Sequence, residues 1–281
     1  MPVSASMVVS NRLPTCFKDL RDLTARPDPK KPVARFEPGV LVKYGLDCEE
    51  EVRVLKFLHK KLSFRIPQVV YHPPYRVTPI THPRICEPIG VWYFLMEELP
   101  GVTLESVIDT MTVDELNHVA DQLSGIMAKM RQFTSTTVGS VTGGPFRNTF
   151  FPWPFEPESS WSSAEEFISY YRDLLSEFCA PDYVEELLEC LPRDASIHLV
   201  HSDLYPRNIL VNGSTITSII DWEYAGFYPD FWEYACMQFD GYRGCSTPGW
   251  DHVLARVFPG PYRKKEVATV AKIISLLQVN L

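Results

Sequence analysis

His201-Ser202-Asp203-Leu204-Tyr205-Pro206-Arg207-Asn208 sets a carboxylate two residues after an imidazole and an amide five residues beyond the carboxylate. Ile219-Ile220-Asp221-Trp222-Glu223 then ends an apolar run in a second carboxylate. Transfer of a phosphoryl group from ATP asks a protein for little covalent chemistry. It needs a carboxylate beside the attacking hydroxyl and oxygen ligands that hold magnesium on the phosphates. Asp203 suits the first task. Asn208 and Asp221 suit the second, because magnesium takes hard oxygen donors.

Order and spacing together resemble the catalytic and metal-binding segments of kinase-fold enzymes. Most similar is the aminoglycoside phosphotransferase and choline kinase branch, above all its fungal-type members. These carry H-x-D-L-x-x-x-N, then I-I-D-W-E, then A-G-x-x-P-x-x-W-E. Here the last piece is Ala225-Gly226-Phe227-Tyr228-Pro229-Asp230-Phe231-Trp232-Glu233, and the resemblance runs from about Val33 to Gln238. It implies an α+β, two-lobed protein-kinase-like fold, with ATP and Mg2+ as cofactors and a small-molecule hydroxyl as acceptor. It implies a small lobe over residues 1–97, a hinge over 98–101 and a mainly helical lobe over 102–281.

Some positions depart from the pattern. Ser202 stands where the family commonly has glycine, and Asp221 is followed by Trp-Glu rather than Phe-Gly. The second departure, and the lack of a long activation segment with A-P-E, favour small-molecule kinases over protein kinases. No G-x-G-x-x-G precedes Lys43, and residues 1–32 contain no glycine. Other readings stand beside this one. An H-x-D alone is most often a capped turn, and a metallohydrolase would need more ligands than the scattered His and Cys supply. A nucleotide-binding scaffold or a kinase-fold enzyme with other nucleotide chemistry would share the fold, which does not fix function.

Lys43 lies on a strand bracketed by apolar residues, where an unpaired ammonium is costly. The resemblance implies a contact to the ATP phosphates, steadied by a glutamate of the next helix. Glu49, Glu50 and Glu51 all open that helix and suit its dipole. Helical spacing separates them. Glu51 shares a face with Leu55, Leu58 and Leu62, whereas Glu49 shares one with Arg53, Lys56 and Lys60. Glu51 is therefore the inward partner expected for Lys43. The backbone at Glu97 and Leu99 is expected to meet the adenine ring, with Leu210 and Ile220 flanking it from the other lobe. Arg207 either adds charge stabilisation or is structural. Glu223, Asp230 and Glu233 lie among Trp222, Tyr224, Phe227, Tyr228 and Trp232. Carboxylates with aromatic faces suit a cationic amino alcohol. Against that, the aromatic pieces read equally as helix core, and Asp230 as a cap.

These residues need elements to position them. Residues 33–36 and 40–44 read as strands joined at Glu37-Pro38-Gly39. Asp47 with Glu50 forms a capping box for a helix to about Leu62. A Val-Val strand follows Pro67, residues 72–88 read as a loop or edge, and Val91–Glu97 as a strand. Leu99-Pro100-Gly101 is the expected hinge, followed by a helix from about Leu104. A longer helix starts at Thr112, with Glu115 as its box partner and Leu116, Val119, Ala120, Leu123, Met127 and Met130 as its buried face. Residues 139–161 have no period. Helices are expected from Ser162 to about Phe178, over about 182–191, from near Pro229, and over about 263–277. Ile197–Val200 reads as a strand, and Asn212-Gly213 as the turn of a hairpin that brings Asn208 and Asp221 to one end.

The whole chain sets bounds on function. Its 281 residues fit one large domain or two lobes. A net charge of −8 argues against broad binding to nucleic acid or to an anionic membrane surface. Seven cysteines without a metal or redox spacing point to a reduced, cytoplasmic setting, and no secretory signal or membrane-spanning run is evident. The expected partner is a small-molecule substrate.

Overall fold

A computed structural model describes residues 33–45, 48–72, 77–81, 88–143, 157, 159–239, 247–260 and 262–280. Strands β1 (Val33–Glu37) and β2 (Val40–Gly45) form a hairpin whose turn holds Gly39 at φ 82°. β2 pairs with the long β5 (Pro88–Glu97), which also carries β3 (Val69–Tyr71) and β4 (Val77–Thr81). Every pairing in this five-stranded sheet is antiparallel. Strand alternation puts Val42 and Tyr44 in a small cluster with Tyr93 and Leu95 on one face. Leu41 and Lys43 take the other face, opposite Met96 and Phe94 in register.

That second face is covered by α1 (Cys48–Leu58), which buries Val52, Val54, Leu55 and Leu58. The helix ends four residues earlier than its periodicity suggests. Lys60 adopts a left-handed φ of 66°, and the amides of Lys61 and Leu62 turn back onto the Leu58 carbonyl. Asp47, the expected cap, lies outside the described residues. β4 shows that part of the proline-rich stretch pairs with the sheet.

Beyond the sheet, Gly101 holds φ 124° against β9 (Ile209–Asn212). A Cβ there would sit 2.8 Å from the Val211 carbonyl oxygen, so only glycine allows the approach. β6 (Val102–Thr103) pairs with β9, which pairs with β10 (Thr215–Ile219) in the anticipated hairpin. The helix expected from Leu104 is instead two three-residue 3₁₀ turns, Leu104–Ser106 and Ile108–Thr110. The Ser106 and Thr110 hydroxyls donate to carbonyls three residues back, competing with helix continuation.

The helical part is built on α2 (Val113–Met130), α3 (Ala164–Ser176), α4 (Pro181–Leu188), α5 (Trp232–Gln238), α6 (Pro248–Val257) and α7 (Lys264–Asn280). Thr112 and Glu115 form the predicted capping box of α2, and its six predicted core residues are buried, with Ile126 added. Ser163, not Ser162, caps α3. The helix expected from near Pro229 begins three residues on, at Trp232, and not at Pro229 itself. That proline ends β11 (Gly226–Pro229), which pairs with β8 (Ile197–Val200), itself paired to β7 (Thr134–Ser135). Phe167, Tyr171, Tyr228 and Trp232 pack together with ring centroids 5.0–6.2 Å apart. They belong to a core that runs continuously from α1 to α7. No described helix is long and apolar enough to cross a membrane.

Candidate active site

β8 delivers the chain into the 201–208 loop. His201 is fully buried, and its ring lies 4.6 Å from that of Trp222. Burial lowers its pKa, so the neutral imidazole is favoured. Its Nδ1 accepts from the Asp203 amide at 3.3 Å and its Nε2 donates to the Ile220 carbonyl at 3.0 Å. The imidazole thus ties the loop to the strand end that carries Asp221. Ile220 N–H donates to the Asn208 carbonyl at 2.9 Å, so Asn208 and Asp221 meet at one end of the hairpin.

The Asp203 carboxylate is fixed from both sides. Arg207 Nη2 donates to Oδ1 at 2.5 Å, and Asn208 Nδ2 donates to Oδ2 at 2.8 Å. The same amide also reaches the Asp203 carbonyl at 2.8 Å. Ser202 and Asp221 both hold left-handed φ values, 63° and 65°. Non-glycine residues in that region carry strain that the surrounding packing must hold.

Lys43 is only 6% exposed, yet it is far from unpaired. Its ammonium lies 2.6 Å from Glu51, 2.5 Å from Asp221 and 3.4 Å from Glu223. Burial alone would lower its pKa. The carboxylates of Glu51, Asp221 and Glu223 outweigh burial and hold it well above the ordinary lysine value. Glu51, 1% exposed, is pushed up to about 7 by burial, with Lys43 opposing and the two neighbouring carboxylates adding. Burial also acts against the charge on Asp221, but Lys43 overcomes it and holds that carboxyl below the usual range. The helical-face argument therefore found the right glutamate. Glu49 pairs outward with Arg53 at 3.5 Å.

This cluster forms one end of a cleft of about 500 Å³. Leu41, Met96, Leu99, Leu210 and Ile220 give it apolar walls, and Glu97 lines it too. Glu97 sits at the end of β5, where its N–H donates to the Gln68 carbonyl and its side chain pairs with Arg65. The carboxylates around Lys43 are hard oxygen donors, the type magnesium takes. Oxygens of Glu51, Asp221 and Glu223 lie within 4.8 Å of one another. The Asn208 nitrogen is committed to Asp203, which leaves its carbonyl oxygen as the atom able to ligate a metal.

The three carboxylates expected to greet a cationic acceptor are not brought together. Glu223 turns to Lys43. Asp230 follows Pro229, which pairs with Ile197 at the far end of β8 from His201, and it forms an ion pair with Arg263 at 2.6 Å. Glu233 is buried, and its two oxygens accept from the backbone amides of His201 at 2.5 Å and Ser202 at 3.1 Å. Burial pushes its pKa up to about 7, against the pull of those amides. Trp222, Tyr228 and Trp232 are core residues without an exposed ring face. Glu233 thus holds the 201–208 loop from behind. Sequence reasoning missed that role because backbone amides have no side-chain signature.

A sequence model of the phosphotransferase enzyme family matches residues 28–265. No curated protein matches the chain in sequence. Among solved structures, the chain is similar to a thermostable mutant of the aminoglycoside phosphotransferase APH(4)-Ia in its apo form. The TM-score is 0.57 and the identity 16%, over 93% of this chain and 89% of that one. It is similar to APH(2")-IIia in complex with GDP and kanamycin, with a TM-score of 0.55 and 17% identity over 85% and 78% of the two chains. For ADP-bound aminoglycoside phosphotransferase APH(2'')-Ib the values are 0.54 and 15%, over 85% and 80%. At these identities the likeness is one of fold: two-lobed and kinase-like, with a small sheet-bearing lobe and a mainly helical one.

Proposed function

The chain belongs to the phosphotransferase enzyme family, and from that premise we propose that it transfers the γ-phosphoryl group of ATP to a hydroxyl of a small molecule. The observation that carries this reading is the convergence of Lys43, Glu51 and Asp221 on one wall of the cleft, with Asp203 fixed through Asn208 close by. The nucleotide-bound structures of similar fold support it.

In this scheme the base lies between Leu41, Met96, Leu210 and Ile220, against the backbone of Glu97 and Leu99. Lys43, steadied by Glu51, meets the phosphates. Asn208 and Asp221 would hold magnesium, with Glu223 near enough to assist. Magnesium, when bound, neutralises charge on the phosphate oxygens. Asp203 orients the acceptor hydroxyl and takes its proton as the new O–P bond forms and the bond to the β-phosphate oxygen breaks. ADP leaves, and the proton passes from Asp203 to water. Arg207, already on Asp203, places a positive charge beside the transferring group.

A cationic amino alcohol remains one acceptor class, although Asp230 and Glu233 are engaged elsewhere. The test is an ATP-consumption screen with magnesium over amino alcohols, aminoglycosides and hydroxylated aromatic amines, each beside an uncharged isostere. Magnesium-dependent ADP release with a phosphorylated product supports the reading. Equal turnover of the neutral isosteres removes the cation requirement alone. No turnover of any hydroxyl compound, with Mg–ATP bound, speaks for a nucleotide-binding scaffold.

A further inference from the structure

Glu50 stands next to the glutamate that holds Lys43, yet it points the other way. It is 6% exposed, and a buried carboxylate is costly unless it is hydrogen-bonded. Its Oε1 accepts from Ser140 Oγ at 2.5 Å, and Arg53 Nε lies 3.2 Å from Oε2. Sequence reasoning assigned Glu50 to a local capping box. The structure spends its side chain on a residue 90 positions away.

Ser140 belongs to the helical lobe and is itself 4% exposed. Gly139, just before it, exchanges both backbone hydrogen bonds with Phe227 of β11 at 2.8 Å. The approach is tight: a Cβ on Gly226 would come within 2.6 Å of the Gly139 carbonyl oxygen. The Thr142 amide donates to Ser140 Oγ at 3.1 Å, leaving the hydroxyl hydrogen for Glu50. A second contact runs in parallel, since Phe57 of α1 meets the ring of Phe227 edge-on at 6.3 Å. The helix α1 of the sheet lobe is therefore anchored on the helical lobe at both of these points.

Resting on the nucleotide-binding reading above, we infer that Glu50 is a positioning residue: through Ser140 it fixes the rotation and height of α1, so that Glu51 meets Lys43 and Lys43 meets the nucleotide. The geometry leaves little slack. Neighbouring helical residues differ by about 1.5 Å in height, and the Lys43–Glu51 contact is 2.6 Å long. A shift of that size takes the pair beyond hydrogen-bond reach. The Glu50–Ser140 bond thus holds α1 where Glu51 meets Lys43.

The test uses the full chain. Ser140→Ala removes the donor from the lobe opposite α1, and Ser140 lies outside the cleft lining. Glu50→Ala removes the same bond from the other side and gives a second variant. Glu50→Gln keeps an acceptor for Ser140. Mg–ATP affinity is measured by calorimetry and melting temperature by calorimetric scan, each alone and combined with Glu51→Gln. Ser140→Ala and Glu50→Ala are expected to weaken Mg–ATP binding about three- to tenfold, the worth of an ordinary intramolecular hydrogen bond. Glu50→Gln should stay near wild type. With Glu51→Gln already present, Ser140→Ala should add little, because both act through one pair. Variants that melt lower but bind Mg–ATP like wild type overturn the positioning role, and so does strict additivity. Wild-type protein that binds no Mg–ATP overturns the nucleotide reading and this inference with it.

Discussion

Two acidic stretches of this chain look alike on paper and do opposite things in the fold. At one end of the cleft, Glu51, Asp221 and Glu223 arrive from separate elements and converge on one ammonium. In the 225–233 stretch, Asp230 and Glu233 lie three residues apart and never meet a common partner. One forms an ion pair with Arg263 and the other accepts two backbone amides. A carboxylate among aromatic residues therefore says little about ligands. What decides its role is whether it lines the cleft or is spent on partners away from it.

The largest effect should come from the loop that joins the two regions. Asp203→Asn is expected to lower phosphoryl transfer by about 10²- to 10⁴-fold while Mg–ATP binding persists. Turnover equal to wild type on an accepted substrate would break the comparison at its centre.

Glu233→Ala tests the other side. It leaves two buried amides without an acceptor, at about 1–3 kcal/mol each. Chemical denaturation should show a loss of about 2–5 kcal/mol. The charge can be isolated with Glu233→Gln. Burial holds the Glu233 carboxyl at about 7, above the value of 4.5 for an unperturbed carboxyl. Between those pH values the folded state keeps a proton that the unfolded chain gives up. Wild-type stability should therefore fall relative to Glu233→Gln as pH rises from 4.5 to 8, by on the order of 3 kcal/mol. A flat difference would mean that the amides, not burial, set this group's charge.

Ser202→Gly should give the smallest change, and a favourable one. Ser202 holds φ 63°, and its hydroxyl is buried with no hydrogen-bond partner among the described residues. Glycine removes both costs but adds chain entropy to the unfolded state, for a net gain of at least about 1 kcal/mol. A lower melting temperature would show that the hydroxyl is satisfied in solution.

The Lys43 end of the cleft was open to reading from sequence because its signals are periodic. The apolar bracket put Lys43 on a strand, helical spacing separated Glu51 from Glu49, and an Asn-Gly turn set Asn208 beside Asp221. The capping box at Thr112 worked for the same reason. The rest depends on partners with no local mark. Glu233 meets amides 31 and 32 residues away, and Glu50 meets a serine in the opposite lobe. Both were assigned to roles suggested by their neighbours in sequence. The 3₁₀ turns at 104–110 were missed because hydroxyl competition was not weighed. α6 did carry a signal, the Thr247-Pro248 pair as cap and first helical residue.

The most direct measurement is calorimetric titration of Mg–ATP into wild type, Asp221→Ala and Asp230→Asn under identical conditions. The account predicts magnesium-dependent binding in wild type, its loss in Asp221→Ala and its retention in Asp230→Asn. Binding unchanged in Asp221→Ala, or lost in Asp230→Asn, would contradict it.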